Sequence, residues 1–247
     1  IDSSTRLQTV WQVRLAENIL STATCTTPDA DLGITGWEDE IAPSSARLDT
    51  DTIAIDDPEN PCLVPPTDGY TGLESQLYRV ELHTVGDNQT NSFFKYSREN
   101  ASVAAAIETI AVTADRITVD RIGRDQILRF SEGDWVEVTD DHREFNHRCG
   151  QLLRVAVVNE ETREIELENT IDADLIPTGT PGDTLSSRHT RLIRWDQSGT
   201  IRLEDGTEWV NLDAAASTGL IPVPPTGTRV ILESGIVVSF STATGNG

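Results

Sequence analysis

The chain has 247 residues and a mass of 27.0 kDa, enough for one large β-rich unit or two smaller ones. Lys and Arg total 19 against 41 Asp and Glu, a formal net charge of −22. That balance excludes a nucleic-acid interface and docking on anionic lipid, since both need clustered cations. Of the cations, 18 are Arg and one, Lys95, is Lys. Abundant acid with almost no lysine reads as a halophilic surface, on which concentrated salt screens carboxylate repulsion. An acidic protein from a GC-rich genome is the alternative. No run of 18 apolar residues is present, so no helix-type membrane span or membrane insertion is expected.

In chain order, residues 9–15 alternate polar and apolar side chains with period two, the pattern of a strand. Residues 26–68 hold eleven acids and one base, Arg47, and read as a long surface excursion with a short strand within residues 48–55. Residues 76–83 and 92–96 alternate cleanly around Gly86-Asp87-Asn88, which predicts a hairpin. The Ala-rich stretch 101–111 is compatible with a helix. The β-branched residues that continue through Ile117-Thr118-Val119 favour a strand there.

Residues 133–138, 152–158 and 164–168 are the most regular part, three antiparallel strands with a wide loop over residues 140–151. They suggest a small barrel-like module within residues 115–170. After a Pro/Gly/Ser loop come short strands at residues 192–195 and 202–203. A second loop with Pro222, Pro224 and Pro225 follows, then a hairpin of residues 229–232 and 236–240. The expected fold class is all-β: antiparallel sheets, a small β-barrel-like module in the middle and long polar loops. The domain organisation is one β-rich unit over residues 1–247.

Signatures for common catalytic centres are missing from the sequence: no GxSxG, HExxH, phosphate-binding glycine loop or CxxC pair. His142, His147 and Cys149 share one loop beside Asp140 and Asp141, but their spacing matches no zinc signature, and a solvated polar loop accounts for them. Asp56-Asp57 and Asp140-Asp141 carry oxygen ligands of the type calcium takes. In a chain with 41 acids, adjacent pairs also arise from composition alone. No cofactor and no metal are expected. Trp37 lies in the acidic excursion and is the aromatic placed to stack on a sugar, whereas Trp11, Trp135 and Trp195 sit in strand patterns and read as core. Asn88 and Asn100 open glycosylation sequons, which matter only in an exported protein. Cys25 and Cys62 bracket the excursion. A disulfide between them would stabilise by about 3–4 kcal/mol through loop closure, and two reduced thiols are the alternative.

Residues 69–83, GYTGLESQLYRVELH, resemble the GYRGLENQLYRVEIH block of a domain family of unknown function found in gene clusters for phage-tail-like contractile injection systems. The family's next block, FKWSRDNGSV, is matched by FKYSRENASV at residues 94–103. Residues 9–15, 57–66, 133–141, 152–155 and 194–197 match further blocks in order, and residues 233–240 resemble the family's closing strand. Tyr96, Glu99, Ala101 and Ser234 depart from the usual residues. The family's longer proteins carry further N- and C-terminal segments. The resemblance therefore implies that this sequence, which begins at Ile1 and contains no Met, is the central part of a longer polypeptide.

The resemblance implies a non-catalytic structural or assembly role in a tail-like particle, at the baseplate or as a fibre or collar attachment. The partners would be other particle subunits in a symmetric assembly or homo-oligomer. The location would be the assembled particle, made in the cytoplasm and released. A carbohydrate or cell-surface recognition module on the same kind of particle is the alternative reading, with a polysaccharide hydrolase behind it. Lys95 and Arg98, in the second block, are expected to pair with carboxylates within the fold or across an interface.

Overall fold

The alternation read from the sequence becomes a set of antiparallel ladders in the computed structural model of the chain, which describes residues 22, 24–28, 46–53, 77–86 and 91–242. The strands are β1 (Ala46–Thr52), β2 (Arg79–Thr84), β3 (Phe93–Ser97), β4 (Ala104–Ile110), β5 (Arg116–Val119), β6 (Trp135–Thr139), β7 (Gln151–Asn159) and β8 (Glu164–Leu167). They continue with β9 (Arg191–Trp195), β10 (Thr200–Leu203), β11 (Glu208–Asn211), β12 (Ile221–Pro222), β13 (Val230–Ile231) and β14 (Ile236–Thr242). Among the described residues the protein is nearly all β with almost no helix.

Six strands, in the order β4-β5-β8-β7-β6-β9, close into a ring in which β9 pairs back onto β4. Its interior is apolar: Ile107, Ile117, Val119, Val136, Val138, Leu153, Val155, Ile165 and Leu192 point inward and are buried. Period-two alternation sends the intervening residues outward, and on β4, β5 and β8 these include Glu108, Arg116, Glu164 and Glu166, which face water.

A second core lies between a three-stranded sheet, β12-β3-β2, and a five-stranded sheet, β1-β14-β13-β10-β11. Phe94 and Tyr96 of β3 meet Ile201, Leu212, Ile221, Val230 and Phe240 there, with the Phe94 and Phe240 ring centroids 4.9 Å apart. Pro222 lies in β12, the outermost strand of its sheet, where its missing N–H costs no ladder bond.

Several expectations are refined. The predicted hairpin forms from β2 and β3, and the stretch at residues 101–111 is strand β4. The region read as a wide loop after β6 holds one turn of helix, α1 (Asp141–Phe145). Asp140 caps it by accepting from the Arg143 N–H at 2.9 Å. Strands β11 and β12 fall where loop was expected: they are four and two residues long and carry too little alternation to read. The predicted strand at residues 9–15, the turn residues 87–90 and most of the acidic excursion lie outside the described residues; β1 is the strand foreseen within it.

Candidate functional site: a buried polar seam between the sheets

Strand β6 is buried along its whole length. Val136 and Val138 face the ring interior, so Trp135, Glu137 and Thr139 face outward, where Lys95 and His83 of the β2–β3 hairpin cover Glu137 and Gly219 lies against the Trp135 ring. On β3 the same alternation turns Phe94 and Tyr96 into the second core and leaves Lys95 and Ser97 on the opposite face. Lys95 and Glu137 are thereby driven into one desolvated seam between the two sheets.

Lys95 is fully buried, and its Nζ donates to Glu137 Oε2 at 2.5 Å. It also lies 3.2 Å from Oε1 of Glu81, its direct cross-strand partner, and 3.3 Å from His83 Nδ1. The Trp195 ring sits 4.3 Å from the ammonium, within cation–π range. Glu137 is held from its other sides: Trp195 Nε1 donates to Oε2 at 2.9 Å and the Gly150 backbone N–H to Oε1 at 3.0 Å. His83 reaches the seam on the same face of β2 as Glu81, two positions before it, and the β2–β3 ladder bulges beside it between Leu82 and Thr84. The Cys149 thiol donates to the His83 carbonyl.

The electrostatics follow from burial. Desolvation, with the nearby Lys95 charge, lowers the His83 pKa to about 4, so the ring is neutral at pH 7. Glu81 is half-buried, which opposes ionisation, but Lys95 and Arg79 outweigh that and hold its pKa below the usual value. Burial pushes the Cys149 thiol up, so it is not an activated thiolate.

Beside the seam, a second network orders the chain after β3 and β9. Asp196 Oδ2 accepts from Ser97 Oγ at 2.8 Å and the Arg98 N–H at 2.9 Å, while Arg194 pairs with Oδ1 at 3.1 Å. Gln197 bridges the Tyr96 N–H and the Gly219 carbonyl, each at 3.1 Å. Arg98 pairs with Glu233 at 3.0 Å, and the same carboxylate accepts from Tyr78 OH at 2.8 Å. Both cations singled out in the sequence, Lys95 and Arg98, thus find carboxylates within the fold.

The other sequence candidates are dispersed. His142 and His147 are exposed on α1 and the turn after it, while Cys149 turns towards the seam. Asp140 is fully buried on Arg188 and the α1 N-terminus, and Asp141 pairs with His189 at 2.6 Å. Among the described residues, no three His, Cys, Asp or Glu side chains gather as a metal-holding group. Trp135 and Trp195 are buried, as their strand patterns suggested. Cys25 is exposed, Asn100 stands in an exposed turn, and Cys62, Trp37, Asp56, Asp57 and Asn88 lie outside the described residues. Glu81, His83, Glu137 and Trp195 were not singled out from the sequence as a polar site. The available signal was a lone lysine flanked by Phe93, Phe94 and Tyr96.

Most residues of the seam come from separate blocks of the sequence, 69–83, 94–103, 133–141 and 194–197, and Glu233 of the network beside it comes from a fifth. No curated protein and no solved structure matches the chain at a significant level. A sequence model described as a family of unknown function (DUF6519) matches residues 40–245, five-sixths of the length, and the chain belongs to that family.

Proposed function

We propose that the chain is a non-catalytic structural and assembly subunit of a phage-tail-like contractile injection particle, acting at the baseplate or in a fibre or collar attachment. The observation that carries this reading is the convergence of the recurrent sequence blocks on one buried seam. Their charged residues are spent on each other, joining two sheets, rather than turned towards an open cleft. A signature used in this way supports a rigid scaffold that presents its exterior to neighbours. Other particle subunits are the proposed partners, in a closed symmetric arrangement, and the assembled particle is the proposed location. The net charge of −22 adds a halophilic setting to the proposal.

The test is to tag the chain in its native host, sediment particles and image them. Co-sedimentation with sheath and tube subunits, and density for this fold at a defined position, is the expected result. A chain that stays in the supernatant as a lone species overturns the reading. A reproducible glycan-array hit without particle association would replace it with surface recognition.

A further inference from the structure

Lys95 is the single lysine of a chain whose other 18 basic residues are arginine, and it is fully buried. An ion pair alone is served well by arginine, whose fork engages a carboxylate with two parallel bonds and stays charged in any surroundings. What lysine adds is an amine that becomes a nucleophile once it loses a proton. We propose that Lys95 and Glu137 condense into an intramolecular amide, a covalent staple between β3 and the closed six-stranded sheet. The inference rests on the seam geometry and not on the particle reading.

The groups present supply each step. Nζ and Oε2 are held at 2.5 Å on two buried strands, which replaces a bimolecular encounter with an intramolecular one. Along the 2.5 Å hydrogen bond the ammonium passes one proton to the carboxylate, which leaves an amine and an acid in contact. The neutral amine then adds to Cδ of the neutral acid. Negative charge developing on the carboxyl oxygens meets two donors already aimed at them, Trp195 Nε1–H on Oε2 and the Gly150 N–H on Oε1.

A second amine proton passes to His83 Nδ1 or Glu81 Oε1, which lie 3.3 and 3.2 Å from Nζ. His83 is neutral at pH 7, so its ring has a lone pair to accept with. That proton goes on to the departing hydroxyl, which leaves as water. One ammonium and one carboxylate thus become one amide and one water. The Nζ–Cδ bond forms, a Cδ–O bond breaks, and no oxidant, reductant or net proton is required. The reaction occurs once per chain and is not enzymatic turnover.

Intact-mass measurement of the purified, folded chain tests this without any substitution. The expected mass is lighter than that of the sequence by one water. Tryptic digestion should then leave the bond after Lys95 uncut and release a branched peptide joining residues 80–98 to residues 130–143. Lys95→Arg, which keeps the charge but not the amine, should show its full sequence mass. A wild-type chain at full sequence mass after prolonged incubation in the folded state overturns the proposal. So does a water loss that fragmentation maps to any other residue.

Discussion

Lys95 Nζ and Glu137 Oε2 meet at 2.5 Å across the gap between two sheets, although 42 positions separate them in the chain. Each is buried because the opposite face of its strand is needed for a core, Phe94 and Tyr96 on one side and Val136 and Val138 on the other. The contact therefore belongs to the packing of the hairpin on the ring. Removing Glu137 leaves Lys95 fully buried with Glu81 as its remaining carboxylate.

Relative to a chain whose pair has not condensed, Glu137→Ala leaves Lys95 with Glu81 as its remaining carboxylate at 3.2 Å and should destabilise the fold by about 1–3 kcal/mol. Adding Lys95→Met to that variant should recover much of the loss, because the buried charge is gone and Met fills a similar volume. Urea unfolding of the wild type, the single variant and the double variant measures both. A double variant no more stable than Glu137→Ala counts against an electrostatic origin.

His83 makes the fold sensitive to mild acid. Its pKa is about 4 in the folded chain and about 6.5 when exposed, so between these values the unfolded chain binds more protons. Stability is then full above pH 6.5 and falls as the pH drops towards 4, by on the order of 3 kcal/mol from this group alone. Glu81, whose folded pKa is also depressed, adds a loss at lower pH as it protonates. Denaturant midpoints between pH 7.5 and 4 should show the slope, and His83→Gln should flatten its upper part. An unchanged slope in that variant would assign the acid sensitivity elsewhere.

Much of this architecture was legible in the sequence, for a simple reason. Strands β2, β3, β6, β7 and β8 carry clean alternation because one face of each is apolar over several residues, and the hairpin and the antiparallel run β6-β7-β8 follow from it. Closure of that run into a ring through β4 and β9, outside residues 115–170, does not follow. Strands β11 and β12 were not legible, being too short to display a period, and α1 depends on a single cap, Asp140 to Arg143. The seam was legible only in part. Lys95 and Arg98 stood out as cations in a recurrent block, but Glu137 looks like one of many acids. Its burial depends on which sheet covers the outer face of β6, and pattern alone does not carry that long-range fact. His83 follows Glu81 by two positions and shares its face, but pattern alone does not show that this face is the covered one.

Gly150 is the one residue type that fits beside Glu137. A Cβ there would fall 2.4 Å from Glu137 Cγ and 2.6 Å from Oε1. Its N–H also donates to that oxygen, so the carboxylate cannot retreat without giving up the bond. Gly150→Ala should cost about 1–3 kcal/mol through overpacking. Gly150 carries no positive φ, so the loss there reports the close approach and not backbone strain. Thermal melts measure it, and a Gly150→Ala variant as stable as the wild type would show that the approach to Glu137 is not tight.

The surface charge predicts a dependence on salt whose sign can be worked out. Several arginines already hold two acids each: Arg116 pairs with Glu164 and Glu166, and Arg229 with Asp51 and Glu204. Salt weakens these exposed pairs, which are worth little individually. It also weakens repulsion among the acids left over, and a net charge of −22 means repulsion is the larger sum. The screening length falls from about 30 Å at 0.01 M to about 3 Å at 1 M salt, so most of the relief comes early in a titration. The melting temperature should therefore rise with sodium chloride, steeply at first and then more slowly. A halophilic surface predicts continued gain towards molar salt. A melting temperature that is flat, or that falls, across this range would remove charge repulsion as a determinant of stability and the halophilic reading with it.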